Sequence, residues 1–156
     1  MNTSISTPEI YLGYKFARSN IGNDEGLRPE AVVAYAAPSQ GSYGQLVPNV
    51  VYFGGTWKNN PDNLELVSDE GRVVLKYTAR AVNVVAGSEQ QPALLQSILD
   101  GSLLNSTNSG SDVKKSLATV DEQRLYNLVM DDGYNTKAVE VNVRGKGFKL
   151  YTFTFG

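Results

Sequence analysis

The chain contains no histidine and no cysteine, and each absence removes a block of chemistry. Without imidazole there is no general base poised near neutrality, no Ser-His-Asp triad, no His-rich zinc site and no charge switch in the physiological range. Without a thiol there is no nucleophilic or redox cysteine, no Cys-ligated zinc or iron–sulfur site, and no disulfide. A catalyst made from this chain would have to use Asp, Glu, Lys, Ser, Thr or Tyr. Long apolar runs are missing as well. No stretch approaches the roughly 20 residues that span a bilayer, and the opening Met1–Pro8 is polar and uncharged, unlike a signal peptide. The expectation is a soluble piece with no direct membrane insertion. An excess of positive charge is also lacking: 14 Lys and Arg stand against 16 Asp and Glu, for a net charge of −2. With a pI near 5.1, nucleic acid and anionic membrane surfaces are excluded as partners, since both require clustered positive charge.

What is present suffices for one folded domain. The 156 residues are 41% hydrophobic, enough to bury a sizeable core and too few for a second full domain. The expected organisation is a flexible N-terminal segment over 1–6 and a single domain over 7–156.

Two-residue alternation is the dominant pattern. Val73, Leu75, Tyr77 and Ala79 fall on one side of a strand, with Arg72, Val74, Lys76 and Thr78 on the other. Val82, Val84 and Ala86 predict a further strand, with Arg80 near the bend between the two. Val139, Val141 and Val143 alternate with Glu140, Asn142 and Arg144, and Phe148–Phe155 is β-branched and aromatic throughout, predicting a central terminal strand covered on both faces. Weaker strand signals cover Ala31–Tyr35, Asn49–Trp57, Leu64–Val67, Ala93–Leu99, Val113–Val120 and Arg124–Met130. Ala93–Leu99 also suits a helix by propensity, and Asp121–Tyr126 one helical turn. Asp100-Gly101 predicts a hairpin turn, and the Ser, Thr, Asn and Gly of Asn105–Asp112 predict a flexible surface loop. Many short strands between turns indicate an all-β chain, a β-sandwich or barrel.

The acidic pairs Asp24-Glu25, Asp69-Glu70, Asp121-Glu122 and Asp131-Asp132 invite a glycosidase reading. Neighbours on a strand point to opposite faces, however, so none alone makes the two-carboxylate geometry, and turn chemistry accounts for them better. Calcium is the one metal this composition suits, through oxygen ligands such as Asp62, Asp69 and Asp112. No motif supports it, so no cofactor and no metal site is assigned. Tyr and Trp, with an apolar face and a polar tip, stack on sugar rings or anchor interfaces. Candidate ligand-binding aromatics are Trp57, for which core and binding roles weigh equally, Tyr43 in a Gly-Ser-Tyr-Gly loop, Tyr52 and Tyr126. Lys76, Arg80 and Arg124 are candidates for reading a carboxylate or sugar hydroxyls, against the plainer reading of surface ion pairs.

Several segments together resemble a known family. Thr7–Gly13, Gly54-Gly55-Thr56-Trp57, Val74–Val82, Asp121–Val129 and the closing Tyr151–Gly156 resemble the C-terminal domain of DipZ-type thiol-disulfide proteins of cytochrome c biogenesis, within the thioredoxin-like family. The resemblance runs from Thr7 to Gly156. It implies a jelly-roll-like antiparallel β-sandwich resembling a carbohydrate-binding module, joined in the parent protein to a thioredoxin-like domain and a membrane electron-transfer region that carry the redox chemistry. It further implies an extracytoplasmic location, in the periplasm or cell envelope. The segments Gly22–Gln45 and Ser102–Ser116 are longer and more polar than the family pattern. Two functions follow as expectations: a non-catalytic module that binds a glycan, or a protein-interaction scaffold that positions the thioredoxin-like domain or its clients without sugar affinity.

Overall fold

Alternating apolar residues build ten strands, all paired antiparallel, in a computed structural model that describes residues 7–156. The segment expected to be flexible, 1–6, lies outside the described residues. The strands are β1 (Ile10–Tyr11), β2 (Val32–Tyr35), β3 (Val51–Asn59), β4 (Leu64–Leu66), β5 (Glu70–Gly87), β6 (Ala93–Leu99), β7 (Ser102–Leu103), β8 (Leu117–Val120), β9 (Arg124–Arg144) and β10 (Lys149–Phe155). Among the described residues no helix is long and apolar enough to cross a membrane.

The two expected strands on either side of Arg80 are one bent strand, β5, and β9 likewise joins two predicted strands into one of 21 residues. Residues 70–79 of β5 pair with 135–144 of β9, and 81–86 pair with 124–130. Between them the register slips at Ala79/Ala81. The slip changes which residues face inward: Val73, Leu75, Tyr77 and Ala79 are buried before it, and Val82, Val84 and Ala86 after it. An extra residue at a bulge bends the strand and reverses its alternation. Here it keeps the apolar side toward one core while the chain passes from one layer to the other. The Arg80 guanidinium fastens the bend, its Nε donating to the Asp131 carbonyl at 3.1 Å.

The first half of β5 joins β2, β3, β9, β6 and β8, and the second half joins β10, β1 and β9. The resulting layers enclose a single apolar cluster in which Val73, Leu95 and Val141 of one layer meet Val84, Leu150 and Phe153 of the other. The architecture is therefore the expected all-β sandwich. Ala93–Leu99 is a strand despite its helical propensity, because alternate residues Ala93, Leu95, Ser97 and Leu99 enter the core; Asp121–Tyr126 forms no helical turn. The expected hairpin is present, with Asp100 at φ 47° and Gly101 at φ 84°, both in the left-handed region that a tight antiparallel turn demands.

Three expectations require correction. The strand predicted over Val113–Val120 begins only at Leu117, because Val113 belongs to a turn closed on the Gly110 carbonyl. β10 lies between neighbours, yet only Leu150 and Phe153 are buried, so it is not covered on both faces. The segment Asn105–Asp112 is no free loop: it lies along β9, Gly110 N–H donating to the Leu128 carbonyl at 2.9 Å. A Cβ at Gly110 would sit 2.3 Å from the Asn127 carbonyl oxygen, so only glycine fits there.

Trp57 is the largest fully buried side chain, edge-on to Phe53 and Phe148, with its indole N–H donating to the Gly54 carbonyl at 2.9 Å. Gly71 makes room for it, since a Cβ there would lie 2.8 Å from the indole. Trp57→Ala is expected to lower stability by about 3–5 kcal/mol, read as a shift of the urea unfolding midpoint; a change below about 1 kcal/mol would show that the indole does not hold the core.

Candidate functional site

In the first layer, the residues of β5 and β9 that do not enter the core form an outer face. Arg72, Val74 and Lys76 stand beside Asn142, Glu140 and Ala138 in register. An open face would leave this row wet, but Val74 and Glu140 are 0% and 2% exposed. The cover is a 3-10 helical strap, Gln40–Gln45, seated at its end by buried Leu46.

The strap is held by polar contacts to that row. Tyr43 O–H donates to Glu140 Oε1 at 2.6 Å, Gln40 Nε2 donates to the same oxygen at 3.1 Å, and Asn142 Nδ2 donates to Oε2 at 2.7 Å. Arg72 Nη1 donates to the Tyr43 hydroxyl oxygen at 3.3 Å, and Lys76 Nζ to the Gly44 carbonyl at 2.8 Å. A buried carboxylate is tolerated only when its lone pairs are met, and here both oxygens have donors.

Burial by itself pushes the Glu140 carboxyl up. The donors Tyr43, Gln40 and Asn142, with the charge on Arg72, outweigh it and hold the group below its ordinary value of 4.5. Burial, followed by the carboxylate of Glu140, pushes the Tyr43 phenol up to about 12. Glu140 is thus an ionised acceptor and Tyr43 a protonated donor across the physiological range.

Beside the strap opens a cavity of about 460 Å3 between Tyr43, Lys76, Ile98, Asp100, Thr136 and Glu140. Its walls carry an ammonium, a hydroxyl and carboxylates, and its floor includes Ala138 and Ile98. A carboxyl held ionised is the opposite of the proton-donating acid that glycoside hydrolysis needs. The cavity sets hydrogen-bonding side chains beside an apolar patch.

Of the sequence candidates, the fold brings Tyr43 and Lys76 to this cavity. Tyr43 is half-buried in the strap, not displayed on a loop. Tyr52 lies on the same sheet face beside Val74, its hydroxyl accepting the Val47 N–H at 3.2 Å and its ring packed where a Gly22 Cβ would be. Trp57 is enclosed in the core and Arg80 fastens the β5 bend. Arg124 and Tyr126 sit far along β5 from Lys76, opposite Ala86 and Val84. There Arg124 pairs with Asp112 at 2.9 Å and covers the Tyr126 ring at 3.8 Å from its centroid. Buried Tyr126 ties the corner before β9, donating to the Glu122 carbonyl at 2.6 Å.

The sequence reading missed Glu140, Gln40 and Thr136. The available signal was a single acid between Val139 and Val141, which looks solvent-facing until the strap is known. Asp131 of the acidic pairs is buried against Lys137 Nζ at 2.6 Å, and among the described residues no group of three or more acidic side chains converges as a metal site.

A family model for the thioredoxin-like C-terminal domain matches residues 7–156. The chain belongs to that family. No curated protein matches it. With no cysteine, this thioredoxin-like C-terminal domain has no thiol to exchange, and its membership of a C-terminal domain family indicates an accessory part.

Because the Glu140 carboxyl is lowered on folding, the stability it contributes is complete above its ordinary value and is lost as pH falls through the folded one. In unfolding titrations below pH 4.5, Glu140→Gln should lose less stability per pH unit than the native chain. Equal slopes would show that Glu140 carries no linked proton.

Proposed function

We propose that this domain is a non-catalytic carbohydrate-binding module, jelly-roll in arrangement, that localises an extracytoplasmic thiol–disulfide protein of the DipZ type. The observation that carries the reading is the cavity beside the strap, where Lys76, Thr136 and Asp100 set donors and acceptors beside the apolar Ile98 and Ala138. Sugars present that same mixture, hydroxyls around a ring with apolar C–H faces, and small concave sites with a few placed polar groups recognise such ligands. The family match and the resemblance over Thr7–Gly156 support an accessory role beside a thioredoxin-like domain and a membrane region, in the periplasm or cell envelope. The redox step then belongs to those partners.

Trp57 is too deeply buried to report binding, so amide chemical shifts are the suitable readout. Titration with neutral gluco- and manno-oligosaccharides, N-acetylated glycans and uronates, with and without calcium, should move the amides of Lys76, Thr136 and Ala138 saturably. Lys76→Ala should weaken binding about tenfold, the worth of roughly one good hydrogen bond. Failure of every glycan to move these amides would sink the reading and leave the interaction scaffold, tested next with the thioredoxin-like domain as titrant.

A further inference from the structure

The outer face carries a second cavity, also about 460 Å3, bounded by Leu94, Gln96, Leu117, Asn142 and Arg144. It shares its strands with the first. Ile98 borders the first cavity and Gln96 and Leu94 the second, and alternate residues of one strand point to one face at steps of roughly 7 Å. On β9 the corresponding neighbours are Glu140 and Asn142, whose side chains are joined by the 2.7 Å hydrogen bond already described. The strap reaches Glu140 and Arg72 through Tyr43, and β6 lies beyond that row, beside Glu140 in register. The two cavities are therefore neighbours along β6.

The chemistry of the second cavity complements that of the first. Leu94 and Leu117 are 40% and 39% exposed among the described residues, an apolar floor, and Gln96 and Asn142 set planar amides beside it. Such amides match paired hydroxyls, while leucine side chains meet the C–H face of a ring. The charges on the face are largely matched: Arg144 pairs with Glu70 at 3.0 Å and Lys137 with Asp131, while Lys76 stands across the first cavity from Asp100. No cluster of one sign is left to select a charged ligand.

Resting on the carbohydrate reading, we propose that the two cavities are ends of one groove along β6 that takes a neutral oligosaccharide chain. The cavity beside Lys76 holds one end, and the Leu94–Gln96–Leu117 surface holds the other. A chain long enough to occupy both gains from the second contact without a second association cost, so affinity rises with length.

The test titrates the labelled domain with glucose and mannose, with the β-linked disaccharide, tetrasaccharide and hexasaccharide of each, and with the corresponding uronates. In at least one series the hexasaccharide should bind about tenfold or more tightly than the disaccharide, and should move amides at both Ala138 and Gln96. Gln96→Ala, at a half-exposed position, should weaken the hexasaccharide about threefold or more and leave the disaccharide unchanged. A disaccharide bound as tightly as the hexasaccharide, with shifts confined to Lys76, Thr136 and Ala138, would overturn the groove and leave the carbohydrate reading intact. Binding of uronates alone would overturn the neutral chain. Silence from every saccharide would overturn both.

Discussion

The paired bend of β5 and β9 is the constraint on which the rest of this structure depends. A strand that crosses from one layer to the other must keep its apolar residues inward in both, and strict alternation would turn them outward after the bend. The slip at Ala79/Ala81 resolves this by moving the buried set from Val73, Leu75 and Tyr77 to Val82, Val84 and Ala86. The bend also decides what faces outward. Arg72, Val74 and Lys76 stay together on one side of the first layer, beside Ala138, Glu140 and Asn142. The polar row exists because the core was kept continuous.

That row could have remained a wet face, and the strap makes it something else. Covering Glu140 to 2% exposure removes a carboxylate from water, which costs several kcal/mol if its oxygens are left bare. Donors from Tyr43, Gln40 and Asn142 meet them, so the covered charge becomes a fixed acceptor that holds the strap in place. The cavity wall is thereby fixed by contacts within the chain, and on the carbohydrate proposal little ordering cost would remain to be met on binding. The strap falls within Gly22–Gln45, one of the two segments that are longer and more polar than the pattern the chain resembles.

Much of the fold was legible in the sequence because alternation is a local signal. Val139, Val141 and Val143 announce their strand whatever they pack against, and Asp100-Gly101 announces its turn. Alternation cannot report continuity across a bend, which is why β5 and β9 each read as two strands: Arg80 and Asp131-Asp132-Gly133 look like interruptions. At Ala93–Leu99 propensity pointed to helix while the all-β context pointed to the strand that forms, because leucine and alanine favour helix only until tertiary burial chooses for them. The site was less legible still. Lys76 and Tyr43 could be proposed from residue type, but their meeting depends on a strap that crosses over strands distant in the chain. Glu140 was hidden for the same reason, and Trp57 looked ambiguous because burial of an aromatic is a property of the whole sandwich.

Apart from half-buried Tyr43, no aromatic ring among the described residues lines the two cavities, and that shapes what recognition there would be. Trp57, Tyr77 and Tyr126 are all enclosed, so the large stacking surfaces that let many proteins grip a sugar with few hydrogen bonds are spent on the core. What faces outward is leucine, amide, ammonium and carboxylate. Each contact from such groups is individually modest, worth about 1 kcal/mol net, and one cavity lined by them would hold a single ring weakly. On the groove proposal, affinity comes from adding contacts along the face, where the two cavities are neighbours along β6. On that proposal the domain would favour an extended, repetitive polymer over a free monosaccharide, and the redox chemistry, for which this chain has no cysteine, would take place in another part of the protein.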